Sequence, residues 1–110
     1  MTSRKAWTEV DRYGNAIYLT WERWEHIIDP DNHPEAETFW DQLGETIRLG
    51  RRRQDAYDTN AYQYFRSYPD LPDQSTHLVV CARFRWPTNP DGSVREEKFV
   101  TTAYFQFFQQ

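Results

Sequence analysis

The chain has 110 residues, 17 acidic against 13 basic side chains, a formal net charge of −4 and a pI near 5.3. This length suits one domain with a single core, and the charge excludes bulk attraction to polyanions, so nucleic-acid contact would need a local basic patch. The single cysteine, Cys81, excludes an intramolecular disulfide and a cysteine metal cage; with no stretch near the roughly 18 apolar residues of a membrane span and no signal-peptide core, a soluble cytoplasmic protein without membrane contact is expected.

Aromatic residues make up 17% of the chain, so the core is expected to be built from large rings, some of them partly exposed. Charge is uneven. Up to Glu45 there are ten acids and four bases, whereas from Thr46 onward nine bases face seven acids. The second half is therefore the anion-facing half.

Met1 to Lys5 is a polar start expected to fray. Trp7 to Asp11 and Ala16 to Leu19 read as two short strands around Tyr13-Gly14-Asn15, where Gly and Asn suit a tight turn. Thr20 is a helix N-cap with Glu22 in the first turn, and the helix runs from Trp21 to about Ile28 with Trp21, Trp24, Ile27 and Ile28 as its apolar stripe. Asp29 to Pro34 is a breaker-rich loop. A second helix is predicted over Pro34 to Leu49, weakened by Gly44 and ended by Gly50.

Arg51 to Thr59 fits either a short strand or a solvated connection. Tyr62 to Tyr68 alternates as a strand, and Pro69 to Asp73 is a turn. Thr76 to Phe108 forms the organising feature, a hairpin around the loop Pro87 to Ser93. Strict alternation puts Leu78, Val80, Ala82, Phe84 and Trp86 on one side of its first strand, with His77, Val79, Cys81, Arg83 and Arg85 on the other. In the second strand it puts Phe99, Thr101, Ala103, Phe105 and Phe107 on the apolar side and Lys98, Val100, Thr102, Tyr104 and Gln106 on the polar side. The expected fold is α+β: two amino-terminal helices on one face of a three- to four-stranded antiparallel sheet, preceded by a small β-hairpin.

The open side of that sheet is the candidate binding surface. Cleavage of a phosphodiester concentrates charge on the non-bridging oxygens, and cations and hydroxyl donors stabilise it. Arg83, Arg85, Lys98, Thr102 and Tyr104 have suitable chemistry, with Tyr62, Tyr64 and Arg66 joining from the neighbouring strand. Aromatic rings interleaved with arginine suit stacking on unpaired bases. Solvent-face decoration explains any one of these residues as well.

His26 and His33 flank the interhelical loop and can reach one edge of the sheet, where an imidazole would serve as general acid or base for RNA transesterification. Helix capping by His33 and packing of His26 on Trp21 or Trp24 are the plainer alternative. Arg51, Arg52 and Arg53 suit phosphate neutralisation and helix C-terminal complementation equally. The histidine spacing matches no zinc motif, no Gly-rich phosphate loop is present, and Cys81 lacks a base near it in sequence, so no metal or cofactor is expected.

The run Ile17-Tyr18-Leu19-Thr20-x-Glu22-Arg23-Trp24-x-His26-Ile27, followed by His33-Pro34-Glu35, resembles the opening of the phage-associated barnase–EndoU–colicin–RelE-like nucleases. Leu78-Val79-Val80 and Phe99-Val100-Thr101-Thr102-Ala103-Tyr104 are similar to the close of the same group, and the Tyr62–Arg66 strand fits its middle. The resemblance spans Ile17 to Tyr104. It implies amino-terminal helices on a curved antiparallel sheet and a metal-independent endoribonuclease of toxin or phage-conflict type, acting on mRNA or tRNA and held by an inhibitor or antitoxin protein. The implied catalytic residues are His26, His33, Arg66, Thr102 and Tyr104. A catalytically silent member of that fold, acting as a protein-binding module through its aromatic surface, is the rival expectation.

Overall fold

A computed structural model describes residues 4–109; the polar start over Met1–Ser3 lies outside them. The chain opens with strands β1 (Lys5–Val10) and β2 (Ala16–Thr20), paired antiparallel as expected. Gly14 takes φ +84° in the connecting bend, a conformation that suits a residue without Cβ. The Thr20 hydroxyl accepts the Arg23 amide at 3.1 Å and starts helix α1 (Trp21–Ile27), whose buried residues are Trp24 and Ile27.

The helix predicted over Pro34–Leu49 is divided. A 3-10 segment covers Pro34–Phe39, and helix α2 follows over Trp40–Leu49. Phe39 breaks the helical run at φ −113°, ψ 28°. Its ring packs on Phe105 at 5.1 Å while Trp40 packs edge-on against Trp24 at 4.7 Å. Tertiary packing of two large rings thus overrides the helical periodicity. Gly50 leads from α2 directly into a strand, and a Cβ there would lie 2.8 Å from the Phe65 carbonyl oxygen.

The stretch with two possible readings after Gly50 begins as a short strand, β3 (Arg51–Gln54). Strands β4 (Ala61–Ser67), β5 (His77–Arg85) and β6 (Glu97–Gln106) complete the fold. The expected three or four antiparallel strands are corrected to one six-stranded mixed sheet in the order β1-β2-β6-β5-β4-β3. The amino-terminal hairpin is not a separate feature: β2 joins β6 in parallel through Tyr18 and Phe99, and all other neighbours are antiparallel. That pairing links positions far apart in sequence, so local pattern carries no sign of it.

A second correction concerns β6. Cys81 pairs with Thr102 but Ala82 pairs with Val100, leaving Thr101 as an extra residue in a β-bulge. Alternation therefore reverses across Thr101. Val100 enters the core with Ala103, while Phe99 moves to the side of Thr102 and Tyr104. Lys98 moves the other way: its ammonium reaches Asn15 at 2.7 Å and lies 5.1 Å from the Phe84 ring, paired with Glu96. It is lost to the expected cationic platform. Phe107 lies beyond the strand, not within it, and is exposed.

The core gathers Ile17, Leu19, Ile27, Leu43, Ile47, Leu78, Val80 and Val100 between helices and sheet. Tyr62, Tyr64 and Arg66 pair across β5 with Ala82, Val80 and Leu78, so they face this helical side and not the open one. Tyr64 is completely buried. Its hydroxyl donates to the carboxylate of Asp11, at the bend of the first hairpin. Arg52 on β3 comes within 3.7 Å of the same carboxylate.

Five strand spacings separate β1 from β3, about 24 Å in a flat sheet. Contact between Asp11 and Arg52 therefore requires the sheet to curl until its two edge regions meet over the core. Arg52 is held between the rings of Tyr13 and Tyr62, at 4.0 and 4.3 Å.

Burial alone would raise the Asp11 pKa, but hydrogen bonds from Tyr64, from the Asn15 side chain and from the Asn15 and Tyr13 amides hold it below the ordinary carboxylate value. A depressed folded-state pKa contributes stability above the unfolded value of about 3.9, lost as pH falls through the folded-state value. Asp11→Asn is expected to cost about 2 kcal/mol at neutral pH. In urea unfolding the gap between the two proteins should narrow below about pH 4, and a gap constant with pH would contradict the assignment.

Candidate functional site

Neither helix buries its apolar residues on the second face of the sheet. Alternation and register place there Arg51 and Arg53 of β3; Gln63, Phe65 and Ser67 of β4; and His77, Val79, Cys81, Arg83 and Arg85 of β5. From β6 come Phe99, Thr102, Tyr104 and Gln106, and from β2 comes Tyr18, whose ring lies 6.0 Å from that of Phe99. The chain leaving β6 folds back across this face. The Phe108 amide donates to the Thr76 hydroxyl at 2.8 Å, and its ring stacks on His77 at 4.1 Å. Val79 is buried although no helix covers its side of the sheet.

His33 comes to this face from the interhelical loop. Because β2 pairs with β6 only at Phe99, the later part of β6 has a free edge for the loop to approach. The His33 amide donates to the Ile27 carbonyl at 2.9 Å, and its own carbonyl accepts from Ala36 at 3.0 Å. These bonds fix the backbone, while the imidazole lies 6.5 Å from the Tyr104 ring, centroid to centroid. Glu35 places a carboxylate oxygen 3.6 Å from His33 Nδ1. The carboxylate lies at ion-pair distance from one ring nitrogen, and the imidazole remains a third exposed.

Burial pushes the Tyr104 phenol above its usual pKa, an effect reinforced by Cys81 and opposed by the nearby Arg53 guanidinium. The phenol stays protonated at neutral pH, with Cys81 and Arg53 as its side-chain hydrogen-bond neighbours. Arg53 also reaches over the Phe65 and Phe108 rings. Thr102 faces the same way two residues earlier on β6. One imidazole, one phenol, one guanidinium and one hydroxyl therefore share a surface on which the helices do not pack.

Other expected site residues are elsewhere. His26 is exposed on α1, and its carbonyl accepts from the Asn32 side chain; no described contact joins its imidazole to Tyr104. Arg66 binds Glu45 of α2 at 2.9 Å on the helical side, because the parity of β4 turns it from the open face. Arg52, Tyr62 and Tyr64 belong to the buried closure around Asp11. Arg83 and Arg85 do lie on the open face, Arg83 paired with Asp58 at 3.2 Å. Arg51 and Arg53 share the open face, so the three consecutive arginines are split by strand alternation into two outward residues and one inward.

Phe65, Phe99 and Phe108 are open-face rings that the sequence-based site left out, while His77 was placed on this face but given no role. Phe65 follows from the alternation of its strand, whereas Phe99 depends on the bulge and Phe108 on the fold-back. Among the described residues, no group of three or more His, Cys, Asp or Glu side chains converges as a metal site. Among the described residues, no helix is long and apolar enough to cross a membrane. The chain matches no protein-family model, no curated protein and no solved structure in the comparisons.

Burial pushes the Cys81 thiol up to about 11. Little thiolate is present near neutrality, and thiolate is the nucleophilic form. Iodoacetamide labelling followed by intact mass should be slow at pH 7.5 and accelerate towards pH 10. Rapid labelling at pH 7.5 would overturn this description of the thiol.

Proposed function

We propose that the protein is a small metal-independent endoribonuclease cleaving RNA by attack of the ribose 2′-hydroxyl on the adjacent phosphate. The observation that carries the proposal is the approach of His33, with Glu35 behind it, to Tyr104 on the open face. Transesterification requires removal of the 2′-proton, stabilisation of charge on the phosphorus oxygens and protonation of the departing 5′-oxygen. His33 supplies proton transfer through Nε2, its other nitrogen directed towards Glu35. Arg53 takes the position assigned from sequence to Arg66 and neutralises the non-bridging oxygens. Tyr104 and Thr102 are hydroxyl donors to the same oxygens.

This chemistry fits the resemblance to the phage-associated barnase–EndoU–colicin–RelE-like nucleases, with unpaired mRNA or tRNA as substrate, a cytoplasmic setting and an inhibitor or antitoxin protein as partner. Arg85 and the Tyr18–Phe99 ring pair extend the surface on which unpaired bases would stack. A second proposal, a catalytically silent protein-binding module, has one observation in its favour. Trp21 stacks on Trp40 at 5.4 Å and 6°, yet 43% of Trp21 is exposed. Exposed tryptophan is a common anchor of protein interfaces.

Cleavage of total RNA in EDTA separates the two. His33→Ala should reduce the rate by about 10²–10⁴-fold, the usual contribution of a general acid or base. Tyr104→Phe should reduce it by about 10²-fold, near the lower range for loss of one transition-state donor. Arg66→Ala should retain most activity once folding is verified by circular dichroism. Intact RNA with well-folded wild-type protein would reject the nuclease, and equal activity of His33→Ala would reject the assignment of His33.

A further inference from the structure

A second group of cationic and polar side chains lies on the open face, displaced from Tyr104 towards β3. A recess of about 290 Å³ is lined by Arg51, Phe65, Arg66, Ser67 and His77. Register places Arg51 opposite Phe65 and Ser67 opposite His77. Arg66 contributes to the wall while its guanidinium remains on Glu45. Arg51 is exposed and, among the described residues, has no carboxylate within ion-pair distance. Arg48, Arg52, Arg66, Arg83 and Arg95 each have one.

His77 lines this recess with its ring held in place by neighbouring groups. The Thr76 hydroxyl lies 2.7 Å from His77 Nδ1 and 3.5 Å from the Gln106 carbonyl, while accepting the Phe108 amide at 2.8 Å. The ring tautomer sets which of Thr76 and His77 donates in their contact. Stacking on Phe108 at 4.1 Å and 14° holds the ring plane. A guanidinium, an imidazole and the Ser67 hydroxyl therefore surround one recess.

We propose that Arg51, Ser67 and His77 form a second phosphate-binding subsite that receives a neighbouring phosphate of the same RNA strand. This subsite rests on the nuclease proposal for its substrate. Arg51 and Arg53 point the same way two residues apart, about 6.7 Å along the strand. That spacing is comparable with successive phosphates in an extended single strand. With Arg53 beside Tyr104 at the scissile phosphate, Arg51 takes the next one. The preferred substrate is thus single-stranded RNA with at least two internucleotide phosphates, and a dinucleoside monophosphate leaves the recess empty.

The test uses the full chain and a fluorescent oligodeoxynucleotide of six residues, which lacks the 2′-hydroxyl and is not consumed. Fluorescence anisotropy across a salt series should show Arg51→Gln weakening binding by about tenfold. It should also reduce the slope of log K against log salt by about 0.7, the value for one phosphate contact on a single strand. Arg95→Gln, with its charge lost on the distant hairpin loop, should leave the slope unchanged. In NMR, inorganic phosphate should shift the His77 ring resonances of wild type and not those of Arg51→Gln.

Equal affinity and slope in wild type and Arg51→Gln, or no binding by wild type, refutes the subsite. An equal loss in Arg95→Gln also refutes it, because the effect is then general charge. Failure of RNA cleavage with this binding pattern intact rejects the nuclease and retains the phosphate site.

Discussion

The Asp11 carboxylate, withdrawn from water, ties the hairpin at one end of the sheet to strands at the other. A buried anion is tolerable only with compensating donors, and Tyr64, Asn15 and two backbone amides provide them. Arg52 supplies positive charge nearby, with its guanidinium enclosed by tyrosine rings. Together these groups hold the curl that encloses the core with α2. Arg48 on α2 pairs with Glu9 on β1 at 3.0 Å and supports the same closure from the helix.

Curvature and bulge together sort the side chains. Once Arg52 is committed to Asp11, strand geometry directs Arg51 and Arg53 outward. The extra residue at Thr101 brings Phe99 outward while retaining Thr102 and Tyr104 there. The same irregularity sends Lys98 to Asn15 and Phe84. The open face consequently carries fewer cations than a simple repeat would give it, and more rings. The proposed RNA contact rests on a few placed arginines and on stacking, which suits an acidic chain.

Local chemistry was legible where it is decided locally. Thr20 as a cap, the first hairpin, α1, β4 and the apolar side of β5 follow from residue type and spacing. The two-helices-on-a-sheet architecture was legible for the same reason. The parallel join of β2 to β6 and the closure around Asp11 depend on residues brought together from far along the chain. Phe39 shows the limit in a helix: its spacing fits one continuous element, but its ring is better buried against Phe105 with the run interrupted. Among the residues expected at the site, His33 lies near Tyr104 and Thr102 shares its face. Arg66 was misplaced because its strand was assigned the wrong outward side, and Arg53 was identified only as one member of a run.

The junction at Gly50 has a consequence for how this molecule tolerates length changes. Helix and edge strand meet there without slack, the backbone pressed against Phe65. One inserted amino acid that preserved the downstream pairing would need a new bulge or loop beside the helix. If the strand instead slipped by one position, its inward arginine would turn to solvent and an outward one would turn towards the buried acid. Both the latch inside and the charge pattern outside would change in a single step, so this joint acts as a phase reference for the whole edge.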